Sequence, residues 1–226
     1  MSAAEKMVPD YDNWASSINL YVPDAQFASE VGVNGVFRAE FGALVAADTD
    51  GVLVDQSMEA AGNTSTMAAT YARSKMGPWG RNLTMVAPAS STNTVTVTGR
   101  DYLGQPMKEA FTLNGTTPVA GKKAFAEVTN IAWTTDAEAT AVDVGWGDVF
   151  GLPYRTEALL ASIENDATAT AATLVAGASS TTAQTATSAD PRGTVDFNGT
   201  PDASRTFAVV AIADKTQLFG IAQYYA

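Results

Sequence analysis

Residues 93–115 constrain this chain more than any other stretch. Asn93-Thr-Val-Thr-Val-Thr98 alternates strictly, with Val95 and Val97 on one side and the threonines on the other. That is the period of a strand buried on one face. Gly99–Gly104 then reads as a turn. Pro106–Leu113 returns with Met107, Glu109, Phe111 and Leu113 on one face and Lys108, Ala110 and Thr112 on the other. Asn114-Gly115 supplies a tight turn, because both residue types take positive φ at low cost. A β-hairpin over this region is predicted, and a helix here is excluded.

Similar signals run to the end of the sequence. Leu83–Val86 is strand-like and stops before Pro88, Lys122–Val128 and Asn130–Trp133 continue a meander, and Ala139–Val144 is another strand. Gly145-Trp-Gly-Asp148 reads as a turn, and so does Met76-Gly-Pro-Trp-Gly80. Thr168–Val175 could pair as a strand inside an Ala/Thr/Ser-rich loop near 165–190. Arg205–Ala213 is a buried strand, with Gln217–Ala222 as a further one. Short strands divided by Gly, Pro and Asn turns argue for a mainly β fold, a β-sandwich or barrel-like core.

The texture changes near residue 82. Residues 1–81 read as a less regular N-terminal arm or subdomain, with short strands around Val31, Val33 and Phe37. One or two short helices are expected there, one after Asp55 ended by Gly62-Asn63 and one over Ser65–Lys75. Residues 82–226 read as the β-rich core.

Composition limits the chemistry. The 226 residues contain no Cys and no His, and 24 acidic against 13 basic side chains leave a formal charge of -11. Disulfides, thiolate metal sites, cysteine nucleophiles and Ser-His-Asp triads are all excluded. Nucleic acid is a disfavoured partner, since binding it means neutralising phosphates with Lys and Arg. No run approaches the ~18 apolar residues of a membrane span. The opening residues hold no apolar run of the signal-peptide kind, so cytoplasmic synthesis is expected. With 16% charged residues, the polar surface comes mostly from Thr, Ser and Asn.

No local motif for catalysis, cofactor or metal withstands inspection. Gly115–Lys122 has five residues between its glycines, where a phosphate loop has four, and Lys123 stands where Ser or Thr would hold magnesium. Asp48-Thr-Asp50-Gly51 resembles the start of a calcium loop, with Glu59 at the twelfth position. Val52 and Leu53 occupy the places of a ligand and the required Gly, so an Asp-rich turn is the better reading. Asp136, Glu138 and Asp148 read as turn charges at strand edges, and Ser74-Lys75 as a chance pair. Trp79, Trp133 and Trp146 could form a glycan platform, but core packing is the stronger expectation.

Two segments carry a recognisable pattern. The first is Val95-Thr-Val-Thr-Gly-Arg-Asp-Tyr-Leu-Gly-Gln-Pro-Met-Lys-Glu109, continuing through Phe111–Gly115 and Gly121-Lys-Lys-Ala-Phe125 to Ile131. The second is Thr185-Ala-Thr-Ser-Ala-Asp-Pro-Arg-Gly-Thr-Val195, with Gly151-Leu-Pro153 between them. Over roughly residues 82–213 the chain resembles structural proteins of tailed bacteriophages. Arg100 departs from the pattern's usual Thr, and Pro191 enters the Asp-x-Arg-Gly run without changing its spacing.

The resemblance implies a non-enzymatic virion protein. Its best match is a capsid decoration (cement) protein, a homotrimer that binds the major capsid protein on the outer shell and bridges capsomers. The alternatives are a tail or head-to-tail connector component, or a surface module for glycan or receptor. A clamp of this kind should bury well over ~1,000 Å² per contact. Tyr11, Trp14, Tyr21 and Phe27 are the expected anchoring residues of the arm.

Overall fold

The predicted hairpin forms from β5 (Thr94–Arg100) and β6 (Pro106–Thr112), paired antiparallel with Val97 opposite Glu109. The computed structural model describes residues 35–136, 141–180 and 189–225. Tyr11, Trp14, Tyr21, Phe27 and Glu138 lie outside the described residues, as does part of the Ala/Thr/Ser-rich loop.

The chain is mainly β, as expected, with several antiparallel sheets and one sheet curled into a half-barrel. One sheet takes β3 (Gly62–Thr64), β8 (Glu127–Trp133), β5 and β6 in that order. A second sheet runs β12 (Thr173–Ala176), β13 (Gly193–Asp196), β9 (Val142–Gly151), β4 (Arg81–Val86) and β7 (Val119–Ala120), with β2 (Asp48–Gln56) also paired to β9. The third joins β1 (Val36–Ala43), β14 (Thr206–Ala213), β10 (Thr156–Glu164) and β11 (Ala167–Thr168).

Two cores share β9. Val142, Val144 and Trp146 pack with Leu83, Met85, Val95, Val97, Phe111 and Ile131 in the first. Farther along the same strand, Phe150 joins Phe37, Phe41, Val195, Phe207 and Val209 in the second. Edge-to-face contacts of Phe41 with Trp79 at 4.8 Å and Phe197 at 5.1 Å tie the loops to that second core.

The first described residues are not separate from the rest. β1 pairs with β14, β2 with β9 and β3 with β8, and the expected boundary at 81/82 falls at the start of β4. The helices expected over 55–75 are replaced by β3 and a single 3-10 turn at Arg73–Met76. Three other readings change. Residues 145–148 lie inside β9, and Gln217–Ala222 forms no strand. Asp48 and Asp50 stand in β2, not in a turn, where Val52 and Leu53 enter the first core.

β1 ends its sheet, and its register slips between Glu40 and Gly42. Arg38 and Glu40 pair on this strand at 2.9 Å. A bulge and charges on an edge strand both discourage chance pairing with another sheet.

Candidate functional site: a buried charged junction

Glu109 is the first sign of something unusual. It points inward from β6 between Met107 and Phe111, and it is fully buried. A carboxylate on the core face of a strand needs partners, because an unpaired buried charge is very costly. Glu109 Oε1 accepts the Lys122 N–H at 2.8 Å, while Oε2 has no hydrogen-bond partner. Gly121 lies against that oxygen, where an added Cβ would stand only 2.6 Å from it.

The partners come from segments far apart in sequence. Lys123, also fully buried, donates from Nζ to Lys108 O at 2.9 Å. Asp101, in the β5–β6 turn, accepts the Gln105 N–H at 2.8 Å. Asp190 receives the Arg192 N–H at 3.0 Å on one oxygen and the Ala124 N–H at 3.3 Å on the other. Arg192 Nη2 sits 3.0 Å from Asp101 and 3.6 Å from Asp190. Those distances give strong ion pairing, yet none of the side chain's N–H bonds is aimed well enough to count as a hydrogen bond. The face of its guanidinium covers the Tyr102 ring, 4.9 Å from the centroid. Tyr102 in turn donates its hydroxyl to Pro153 O.

Gln223 closes the assembly. Its Nε2 donates to Asp190 at 3.2 Å and lies 3.5 Å from Asp101. Three carboxylates therefore face two cations and one amide, all nearly excluded from water.

The exclusion from water is visible in the proton affinities. Burial pushes the Glu109 carboxyl up to about 7, against the pull of the Lys122 N–H and of Lys123. Burial also lowers Lys123, with Glu109 and Asp190 opposing. Tyr102 rises to about 12, chiefly from burial. The Glu109 shift has a definite consequence for stability. Below the unfolded value of 4.5, both folded and unfolded chains hold the proton and the full stability is present. As pH rises from there through about 7, only the folded chain keeps the proton, so its stability falls across that window. Glu109→Gln, which cannot ionise, should match the parent near pH 4 and exceed it near pH 8. Urea midpoints at the two pH values measure this, and parallel profiles for the two proteins would refute it.

A third buried cation stands on β4, which pairs with β9. Arg81 is fully buried, pairs with Asp148 at 2.6 Å, donates to Gly147 O and covers the Phe150 ring at 4.7 Å. Burial lowers it to about 10. Asp148 is thus an ion-pair partner within β9, not a turn charge. Asp136 likewise is buried, accepting the Ser91 hydroxyl and donating its N–H to Met58 O at 2.8 Å.

The other candidates disperse. Asp48 and Asp50 lie together on β2, where a hydrogen bond to Asp48 raises Asp50 first of all causes. No group of acidic side chains among the described residues is arranged to hold a metal ion. Gly115–Lys122 contains a tight turn, β7 and the Gly121 contact with Glu109. The tryptophans do not share a surface role: Trp146 is buried in the first core, Trp79 packs on the second, and Trp133 donates its ring N–H to Ala60 O.

Comparison with known proteins adds no relative. No family model, curated protein or solved structure matches this chain. The junction must be interpreted from its own geometry.

Each charged group faces another charge, a main-chain amide or an aromatic ring, and none is presented to an opening. The residues involved are largely those of the two patterned segments of the sequence: Asp101, Tyr102 and Glu109, then Gly121 and Lys123, then Asp190 and Arg192. Reading Gly99–Gly104 as a turn and 106–113 as a strand did not reveal their meeting point with Lys123, Asp190 and Arg192. Glu109 on an otherwise apolar face was the available signal.

Proposed function

We propose that the chain is a structural protein of a tailed-bacteriophage particle and acts by contact, as a capsid decoration protein on the outer shell. The observation that carries this reading is the convergence of both phage-like segments on one buried charged junction. Residues separated by nearly a hundred positions are held there by ion pairs and hydrogen bonds. Such a junction fixes turns and strand ends in place and leaves the exterior for neighbours. A protein that clamps capsomers against internal pressure needs a body of this kind.

The exterior suits that role. A charge of -11 opposes attraction to DNA and other polyanions. The partners that the resemblance implies are the major capsid protein and further copies of the chain, as a homotrimer. Hydroxyl-rich strands can contribute main-chain and side-chain hydrogen bonds at such contacts. Tyr11, Trp14, Tyr21 and Phe27 remain the proposed anchor on the capsid, and no catalytic step is assigned.

Cryo-microscopy of the intact particle tests the proposal. Density for the chain at every capsomer junction is the expected result. A single ring at one vertex, or density confined to the tail, would replace decoration with a connector or tail role. Failure to find the chain in purified particles would overturn a virion function altogether. Removal of residues 1–30 should abolish binding to empty capsids, and unchanged binding would rule out the proposed anchor.

A further inference from the structure

The segment that follows β14 docks on the body as an added strand would. β6 ends its sheet, and the Lys108 N–H on its outer edge donates to Tyr224 O at 2.9 Å. The neighbouring Gln223 turns inward, 8% exposed, with its amide on Asp101 and Asp190. Its N–H points to Gln105 Oε1 at 3.4 Å. On either side of this main-chain bond, the Tyr225 ring lies 5.2 Å from Lys108 Nζ and the Tyr224 ring 5.5 Å from Lys123 Nζ. The slot thus recognises a short extended peptide in three ways: a strand-edge hydrogen bond, a carboxamide bound between carboxylates, and two aromatic rings over ammonium groups.

What leads into the slot is a lever, not an element of the fold. No strand or helix follows Ala213 among the described residues. The body holds this stretch as far as Gly220: the Leu218 carbonyl accepts the Arg155 N–H at 2.8 Å, the Phe219 ring meets Tyr154 at 5.7 Å, and Gly220 closes a turn onto Gln217 at 2.8 Å against the Pro191 main chain. Residues 221 and 222 join this anchor to Gln223 and, extended, span about 7 Å. Tyr225 remains half exposed, as does Phe219.

We propose that the β6 slot is an interaction site for residues 222–225 of a second copy of this chain, and that exchange of these segments joins copies to one another. The slot and the peptide that fits it are present in every copy, so complementarity between two copies equals that within one. Exchange then adds no unsatisfied group, which is why swapping of identical elements is a low-cost route to oligomers. The inference rests on the slot alone and does not depend on the virion reading.

The absence of cysteine makes the test clean. Lys108→Cys and Tyr225→Cys are made in separate full-length chains carrying tags of different mass, then mixed and mildly oxidised. The expected product is the mixed disulfide dimer, several-fold more abundant than either self-pair. Gln223→Glu in the Tyr225→Cys chain should abolish that excess, because it places a third carboxylate against Asp101 and Asp190. Mixed dimer no more abundant than self-pairs would overturn the proposal. So would efficient closure within one chain of the double variant together with no mixed dimer. Near-ultraviolet circular dichroism of each variant before mixing verifies that the body is folded, and Tyr224→Cys paired with Lys123→Cys provides the second arm should Lys108→Cys fail it. The same two outcomes decide that arm.

Discussion

Arg192→Ala should lower the stability of the chain by about 3–5 kcal/mol, since it strands buried charges. Asp101 and Asp190 are 0% and 1% exposed, and after the change their remaining partners are main-chain amides and the Gln223 amide. The stacking of the guanidinium on Tyr102 disappears as well. Urea unfolding followed by tryptophan fluorescence measures the loss. Arg38→Ala is the matched control: its partner Glu40 has a 69% exposed side chain, and that change should cost under ~1 kcal/mol. Equal losses for the two variants would mean the junction is not the tightly coupled unit described above.

A companion variant separates charge from packing. Arg192→Met combined with Asp101→Asn and Asp190→Asn removes the ion set centred on Arg192, leaves Glu109 and Lys123 in place and keeps much of the volume. Complete replacement of a buried ionic set is often tolerated, whereas breaking it is not. The triple variant should therefore recover much of the stability lost in Arg192→Ala. If it does, the charges serve to specify which segments meet, since an apolar junction could hold the body nearly as well.

That distinction explains what could be read from the sequence. β5, β6 and β14 are legible because period-two alternation and β-branched residues set one face against a core. The stretch from Asp55 to Lys75 misleads, since its Ala, Met and Ser residues suit a helix locally. Pairing of β3 with β8 and the entry of Met58 into the first core override that preference. Gln217–Ala222 has strand-like apolar content, but Leu218 uses it to pack on the second core and Phe219 to meet Tyr154 at 5.7 Å.

The junction was legible only in part. Glu109 could be flagged as a charge on an inward face. Nothing in the spacing of Asp101, Asp190 and Gln223 announces that they share one site, because their proximity is created by the pairing of β13 with β9 and by the course of the chain after β14. The glycines of β9 were misread for a related reason. Gly145 lies where a Cβ would stand 1.8 Å from Asp48 O, so its small size serves a close crossing by β2, not a turn.

Trp146→Ala should be the other severe change, costing about 3–5 kcal/mol. Its indole is 2% exposed at the point where β9 meets β2 and β4, opposite Asp48 in one and Leu83 in the other. Truncation would leave a cavity that surrounding strands cannot collapse into, because their spacing is set by backbone hydrogen bonds. It would also leave Ala46 O without the indole N–H it accepts at 3.0 Å, and Lys75 without the ring beneath its ammonium. Trp146→Phe restores much of the volume but not the donor, so it should recover only part of the loss. Thermal unfolding of the two variants, with intensity from the remaining tryptophans as the signal, ranks them. A Trp146→Ala protein as stable as its parent would show that β9 is not the strand on which both cores depend.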